Sequence, residues 1–300
     1  MVALIAGPTA SGKTALALHL AKSGNFVIIN ADSAQVYSDL PILSAQPTAD
    51  EQCCAPHHLF GYIDGVTPCS AAKWATDAKR IIADAHATGA IPLLVGGSGL
   101  YIRTLLDGIA PIPEVDPILR AEIRAMPVAQ AYAALQTYDP AIAASLAPTD
   151  VSRITRALEV VKSTGRSISA WRATKTGGIS AHICLRPLLL LPPRDWLYDR
   201  CDKRFEWMME QGAIDEVEAL LARNLPQAAP VMRAIGVPEI SAYLKGTMSR
   251  AEAVTRGQIA TRQYAKRQFT WFRNQAPTDW LRETAIVNDS NIDNFEIIFQ

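Results

Sequence analysis

The chain has 300 residues, 49% of them hydrophobic, and its 29 lysines and arginines are balanced by 29 aspartates and glutamates. That length buries a sizeable core in one large domain or two, and no run approaches the ~18–20 apolar residues of a membrane span, so no membrane partner is expected. No basic-then-apolar leader precedes the first motif, and the five cysteines (Cys53, Cys54, Cys69, Cys184, Cys201) show no CxxC spacing, so reduced thiols in a cytosolic protein are expected rather than a disulfide framework.

In chain order, "VALIAG" (2–7) is a short apolar run ending in glycine, and "TALALHLA" (14–21) reads as a helix. "FVIINADS" (26–33) reads as a buried parallel strand that ends in polar residues. "WATDAKRIIADAHA" (74–87) has helical period, and "AIPLLVGG" (90–97) is another strand closed by glycines. Apolar strands alternating with helices predict a P-loop NTPase-like α/β fold, a mostly parallel sheet with helices on both faces. Ligands of such sheets collect at the carboxyl ends of the strands. The loop at 7–14, "ADSAQVY" and "GGSGLY" all fall at such ends and are expected to converge.

The proline-rich "PIPEVDP" (111–117) changes the pattern. From about 118 to 182 only helical periodicities appear, "TKTGG" (174–178) reads as a loop, and "ICLRPLLLLPP" (183–193) restores a strand. The expected organisation is a catalytic core of 1–112 and 183–300 interrupted by an all-helical insertion of 113–182. The last ~20 residues carry no clear signal.

Neutral net charge hides local imbalance. Between 151 and 186, Arg153, Arg156, Lys162, Arg166, Arg172, Lys175 and Arg186 face only Glu159. Near the C-terminus Arg250, Arg256, Arg262, Lys266, Arg267 and Arg273 face only Glu252. These are either surfaces for a polyanionic partner or ordinary solvated faces. On the C-terminal helix Arg262, Lys266 and Arg273 share one side, with Ala260, Tyr264 and Trp271 roughly opposite, which suits a helix that grips a polyanion and equally an amphipathic surface helix.

"GPTASGKT" satisfies GxxxxGK[ST] between a strand and a helix. Its amides and the helix N-terminus offer donors to phosphate, Lys13 a point charge, and the Thr14 hydroxyl a ligand for Mg²⁺. The motif specifies a phosphate chain plus Mg²⁺ and no more. Asp32, closing the next strand, is open to three roles: ligating Mg²⁺ through water, accepting a proton from a bound nucleophile, or capping the following turn. Ser33, Gln35 and Tyr37 beside it supply polar and stacking groups suited to a base.

"GPTASGKT", "ADSAQVY", "PHHLFGYID", "LLVGGSGLYIRTLLDGI", "DVSRITRALEVVKSTG" and "ATRQYAKRQFTWFR" occur in the order and spacing of the tRNA dimethylallyltransferases, and the chain resembles that family from Met1 to about Arg273. The resemblance implies that Gly7, Pro8, Thr9, Ala10, Ser11, Gly12, Lys13 and Thr14 hold the diphosphate of dimethylallyl diphosphate. The acceptor would be the exocyclic amine of the adenosine 3′ of the tRNA anticodon, flipped out of its stack. Asp32 would be the general base. Lys13, Thr14 with Mg²⁺ and an arginine of "PPRDWLYDRCDKRF", Arg200 in preference to its i+4 neighbour Arg204, would stabilise the departing diphosphate. Contacts to the tRNA anticodon stem-loop are implied for Asp32, Ser33, Ala34, Gln35, Ser98 and Arg120, for Ser152, Arg153, Ile154, Thr155 and Arg156, and for Met232, Arg233, Ala234, Ile235, Gly236 and Val237. Lys266, Arg267 and Arg273 join them on the C-terminal helix, and a monomer is expected.

The chain departs from the family pattern in places. "LSAQP" (43–47) stands where "GTAKP" is usual, so a lysine's charge is missing at Gln46. Ser98 replaces a threonine, and Val237 a tyrosine. No Cys/His zinc finger follows the catalytic region, and His57 and His58 lack further ligands at metal spacing, so structural histidines are expected. Rival readings are a P-loop small-molecule kinase, an RNA-binding ATPase, and an adenylate isopentenyltransferase acting on free nucleotide; the basic insertion favours an RNA substrate.

Overall fold

Val2–Ala6 is wholly buried and forms β1 at the centre of the sheet. The structure, a computed structural model, describes residues 1–299. With β2 (Phe26–Asn30), β3 (His57–His58) and β4 (Ile91–Gly96), β1 supplies four strands of a six-stranded sheet. Further strands continue it: counting the short β5 (Gly108–Ile109) and β6 (Thr176–Gly177), which pair elsewhere, they are β7 (Leu185–Leu190) and β8 (Leu281–Glu283). The order is β3-β2-β4-β1-β7-β8, and every neighbouring pair is parallel. β1 and β2 are apolar along nearly their whole length because helices cover both faces of a parallel sheet.

The chain divides into two compact units, 1–105 with 180–300, and 106–179. In the sheet unit, α1 (Lys13–Ser23) packs Leu16 and Leu20 against Ile5, Leu93 and Leu188. The same cluster takes in Phe295 and Phe299 from a terminal 3₁₀ stretch, Ile292–Phe299. The residues that carry no clear sequence signal thus supply both the edge strand β8 and two core aromatics. A capping box at Thr48 and Glu51 starts the short α2 (Ala49–Cys53), and α3 (Ala71–Ala87), capped by Ser70, buries Trp74 and Ile82. α4 (Gly99–Asp107) follows β4.

The helical unit has a core of its own. Asp116 accepts the N–H groups of Ile118 and Leu119 to start α5 (Pro117–Ala125), with proline at the first helical position. Next come α6 (Val128–Tyr138), α7 (Pro140–Ser145), capped by Asp139, and α8 (Val151–Thr164), capped by Asp150 and stopped by Gly165 at φ 66°. α9 (Ile168–Arg172) completes the set. Ile123, Leu135, Ile154, Leu158 and Ile168 bury their side chains together. The region is not free of strand, as its helical periodicity suggests. Gly177 pairs antiparallel with Gly108, so part of "TKTGG" belongs to a two-residue ladder.

Back in the sheet unit, α10 (Arg194–Glu210), α11 (Ala213–Ala222), α12 (Val237–Leu244) and α13 (Arg250–Gln275) form a helical layer whose core includes Leu40, Phe205, Met209, Val217 and Ile240. α13 crosses α10 at Gly257, where a Cβ would lie 2.0 Å from the Phe205 ring. Its buried stripe is Ala253, Gly257, Ala265, Gln268 and Phe272. Tyr264 and Trp271, the larger aromatics expected at its back, lie outside that stripe. Among the described residues no helix is long and apolar enough to cross a membrane.

Candidate active site

The loop between β1 and α1 is held from within and from α13. Gly12 takes φ 98° immediately before the helix, and Ala10 sits at φ 64°. Lys13 Nζ donates to the Pro8 carbonyl at 2.6 Å, across the loop it serves. Burial pushes the Lys13 ammonium down to about 8, against the attraction of Asp32, and nearby Arg204 adds to the lowering. Among the described residues the buried Ser11 hydroxyl has no hydrogen-bond partner, a polar group at the cradle left for a ligand.

Gln268, 6% exposed on α13, fastens the loop. Its Oε1 accepts the Thr9 N–H at 2.8 Å while its Nε2 donates to the Gly97 carbonyl at 3.0 Å. One amide thereby ties the phosphate loop to the end of β4. A Cβ on Gly97 would lie 2.1 Å from that Nε2, so only glycine admits the contact. The sequence offers no sign of Gln268, which lies in a run noticed for its charges.

Arg204 of α10 reaches the loop. It donates weakly to Thr9 Oγ1 at 3.5 Å, and burial with the neighbouring Arg200 charge lowers its pKa. Arg200, preferred on sequence, also lines the cavity around Ser11–Thr14, with its guanidinium 4.8 Å from the Trp196 ring centroid.

Asp32 is placed by a neighbour that sequence reasoning missed. Asn30, wholly buried, accepts the Asp32 N–H at 2.7 Å and donates to the carbonyls of Asp32 and Leu59. The Trp74 indole N–H holds the Asn30 carbonyl at 2.8 Å. Asp32 Oδ1 accepts the Ala34 N–H at 3.0 Å, so the turn-capping role is real. It occupies one oxygen of the two.

Beside Asp32, the Ser98 hydroxyl accepts the Ser33 N–H at 2.8 Å and lies 3.0 Å from the Ser33 hydroxyl. Tyr264 stands close to both hydroxyls, and its phenol is held above the ordinary range, first by the Asp32 charge and then by burial. Ser98 therefore keeps the hydroxyl that its position calls for. The "LSAQP" segment is stitched down by amides: Gln35 Nε2 donates to the Ser44 and Ala45 carbonyls, and Gln46 Nε2 to the Tyr37 carbonyl. Glu216 accepts the N–H groups of Ile42 and Leu43 at 2.7 and 2.9 Å. The missing lysine is thus a neutral side chain engaged with backbone.

Two cavities share a wall here. One, of 340 Å³, is lined by Thr9, Lys13, Thr14, Asp32 and Gln46. The other, also 340 Å³, has Leu40, Leu43, Phe205, Met208 and Ile235 on its apolar side and Ser33, Tyr264 and Arg233 on its polar side. Asp32, Thr9 and Arg204 line both. A third cavity, of 460 Å³, opens along Ser11–Thr14 with Lys22, Arg200 and Arg204.

The other sequence-singled residues divide by exposure. Ala34, Arg233, Ala234, Ile235 and Arg267 line the second cavity, and Gln35 the first. Met232 is half-buried in the helical layer, and Gly236, at φ 96°, meets Leu43. Ile154 and Val237 are buried at 0% and 1%, so their side chains are unavailable to RNA and anchor their helices instead. Ser152 and Arg153 are exposed, and Thr155 spends its hydroxyl on the Val151 carbonyl. Lys266 and Arg273 are exposed on α13, whereas Arg262 pairs with Asp202 of α10 and is not part of an open basic face. Several other cations have local partners too: Arg153 with Asp150, Lys175 with Asp107, Lys162 over Tyr138 and Arg166 over Trp171.

Comparison with known proteins follows the same lines. A family model described as IPP transferase matches residues 35–275, and one described as isopentenyl transferase matches residues 1–55. The chain is 60% identical to a tRNA dimethylallyltransferase of Sphingopyxis alaskensis, over 99% of this chain and 97% of the relative. It is 52% identical to one of Zymomonas mobilis subsp. mobilis, over 99% and 95%. Among solved structures, the full-length tRNA isopentenylpyrophosphate transferase of Bacillus halodurans superposes with a TM-score of 0.72 at 34% identity, covering 99% of this chain and 95% of that one. A eukaryotic dimethylallyltransferase acting on tRNA gives a TM-score of 0.78 at 29% identity, covering 90% and 69%.

Proposed function

The chain belongs to the IPP transferase family, and from that premise we propose how its two adjoining cavities divide the work of prenylating tRNA. The protein is a tRNA dimethylallyltransferase and moves a dimethylallyl group onto tRNA. In our reading the P-loop cavity takes the diphosphate of dimethylallyl diphosphate, and the adenosine 3′ of the anticodon enters the second cavity as a flipped base. The observation that carries this division is Asp32, which stands in the wall common to both.

The exocyclic amine of adenine is a poor nucleophile because its lone pair is delocalised into the ring. Asp32 accepts one of its hydrogens, the nitrogen attacks the allylic carbon, and the carbon–oxygen bond to diphosphate breaks with its electron pair leaving on oxygen. Asp32 then holds the proton. The leaving charge is met by the loop amides, Lys13 and Arg204, with Arg200 at the outer cavity. Ser33, Ser98 and Tyr264 form a hydroxyl cluster beside the base site, suited to reading its edge. Leu40, Leu43, Phe205 and Met208 keep water from the allylic carbon.

Mg²⁺ fits the donors present: the Thr14 hydroxyl and the Asp32 carboxylate line one cavity, and a cation of this kind needs few protein oxygens because substrate phosphate and water complete its shell. Thr14 would hold it, and it would neutralise charge on the diphosphate. In the helical unit, the exposed Ser152 and Arg153 and the half-buried Arg120 and Arg156 are the proposed contacts to the anticodon stem-loop, chiefly through phosphate. A cytoplasmic setting and a monomer belong to the same proposal.

Labelled dimethylallyl diphosphate supplied with unmodified tRNA, with ATP and AMP as competitors, tests the reading. Label is expected on the adenosine 3′ of the anticodon. Label on AMP in preference to tRNA, or on another tRNA position, overturns it, and turnover of ATP would return the P-loop to a nucleotide.

A further inference from the structure

Glu159 is 1% exposed in the middle of α8, yet it carries the only carboxylate in a stretch rich in cations. A buried carboxylate survives only with hydrogen-bonded counter-charge. Here both oxygens are engaged: Oε1 accepts from Arg124 Nε at 2.9 Å, and Oε2 from Arg156 Nη1 at 3.3 Å. Arg124 stands on α5 and Arg156 on α8, so one carboxylate brings guanidinium groups from two helices together. Their side chains remain 64% and 42% exposed.

A guanidinium has five N–H donors in a fixed fork. Each arginine spends one on Glu159 and turns most of the rest outward. Arg120, one turn before Arg124 on α5, adds a further guanidinium to the same helix, with its Nε buried and without a hydrogen-bond partner among the described residues. Without a carboxylate behind them, the Arg124 and Arg156 guanidinium groups would repel one another and sample many rotamers.

We infer that Glu159 is a positioning residue for RNA binding, aligning the Arg124 and Arg156 forks as a seat for backbone phosphate. The inference rests on the reading that the protein acts on tRNA and that the helical unit meets it. Two general pictures predict opposite signs for removal of this negative charge. If the cations act as a diffuse cloud, neutralising Glu159 raises the local positive charge and tightens tRNA binding. If the carboxylate orients the forks, neutralising it weakens binding, because a glutamine amide must turn its N–H₂ towards one of the two guanidinium groups and release it.

The test is steady-state transfer by the full-length chain with Glu159→Gln and, separately, the charge-conserving pair Arg124→Lys and Arg156→Lys, at several salt concentrations. For Glu159→Gln, KM for tRNA is expected to rise about 5–10-fold, with KM for dimethylallyl diphosphate unchanged. The slope of log binding against log salt should flatten by about one phosphate contact. An unchanged or lower KM for tRNA overturns the inference. If Glu159→Gln does not fold by its thermal melt, the lysine variants decide: lysine keeps the charge but lacks the fork, so tRNA KM should rise several-fold, and wild-type KM overturns the inference. If the wild-type chain itself transfers nothing to tRNA, the functional reading has failed, and not the role of Glu159.

Discussion

Replacing Gln268 by methionine keeps the side chain's length and removes both of its hydrogen bonds. The Thr9 N–H and the Gly97 carbonyl, now 2.8 and 3.0 Å from the amide, would each lose a partner inside a site where Gln268 is 6% exposed. A buried backbone group left unsatisfied costs about 1–3 kcal/mol, so the pair costs on the order of 2–6 kcal/mol, a large share of a domain's stability. At roughly 2 °C per kcal/mol for a chain of this size, the melting midpoint should fall by about 4–12 °C. Function should fall with it, because Thr9 is the residue through which α13 holds the phosphate loop in register. KM for dimethylallyl diphosphate is expected to rise more than KM for tRNA, and saturating diphosphate should recover part of the lost melting temperature. Urea or thermal unfolding with steady-state kinetics measures both. A variant within ~0.5 kcal/mol of wild type and with unchanged KM for the diphosphate would refute the claim that this amide organises the loop.

Three further outcomes are expected. Asp32→Ala should lower turnover by ~10²–10⁴ while tRNA binding, measured by filter retention, stays near wild type; loss of binding with normal residual turnover would remove Asp32 from the base role. Lys13 loses its proton near pH 8 in the free protein, so affinity for the diphosphate should decline as pH rises through that value. Unfolding free energy should move the opposite way: the unfolded chain holds this proton up to about 10.5 and the folded chain does not, so Lys13 contributes rising stability from pH 8 towards 10.5. Binding titrations and denaturant melts across pH 7–10 separate the two trends. Gly257→Ala places a methyl 2.0 Å from the Phe205 ring and should cost about 1–3 kcal/mol through overpacking, read as a lower denaturant midpoint; a neutral result would mean that α13 can lift off α10 freely.

What could be read from the sequence was what local chemistry dictates. A loop that must offer amides to phosphate needs its glycines, lysine and threonine consecutively, and Asp32 and Ser98 announce themselves by ending buried strands. Gln268 and Tyr264 do not, because each matters through a partner distant in sequence, and Asn30 reaches Asp32 two positions on but is itself held by the remote Leu59 and Trp74; Gln268 and Thr9 are separated by 259 positions. α13 differs from its sequence reading for a related reason. Ala260, Tyr264 and Trp271 lie roughly opposite the basic residues and read as its back, but close helix crossing selects small residues, so alanine, glycine and one glutamine share the buried stripe with Phe272. The charge runs were legible as composition and illegible as geometry. Arg262 is half-buried against Asp202, while Arg124, outside the runs, shares Glu159 with Arg156.

The span between Thr9 and Gln268 also sets an order of events during synthesis. At about 5–20 residues per second, a ribosome needs on the order of 10–50 s after making the phosphate loop before the residue that fastens it exists. During that interval the loop's own lysine and glycines are complete, yet the Thr9 amide has no partner from α13. A nascent chain released early would carry the recognisable motif with its anchor missing, and competence for the diphosphate would arrive only once Gln268 has been made and α13 has docked.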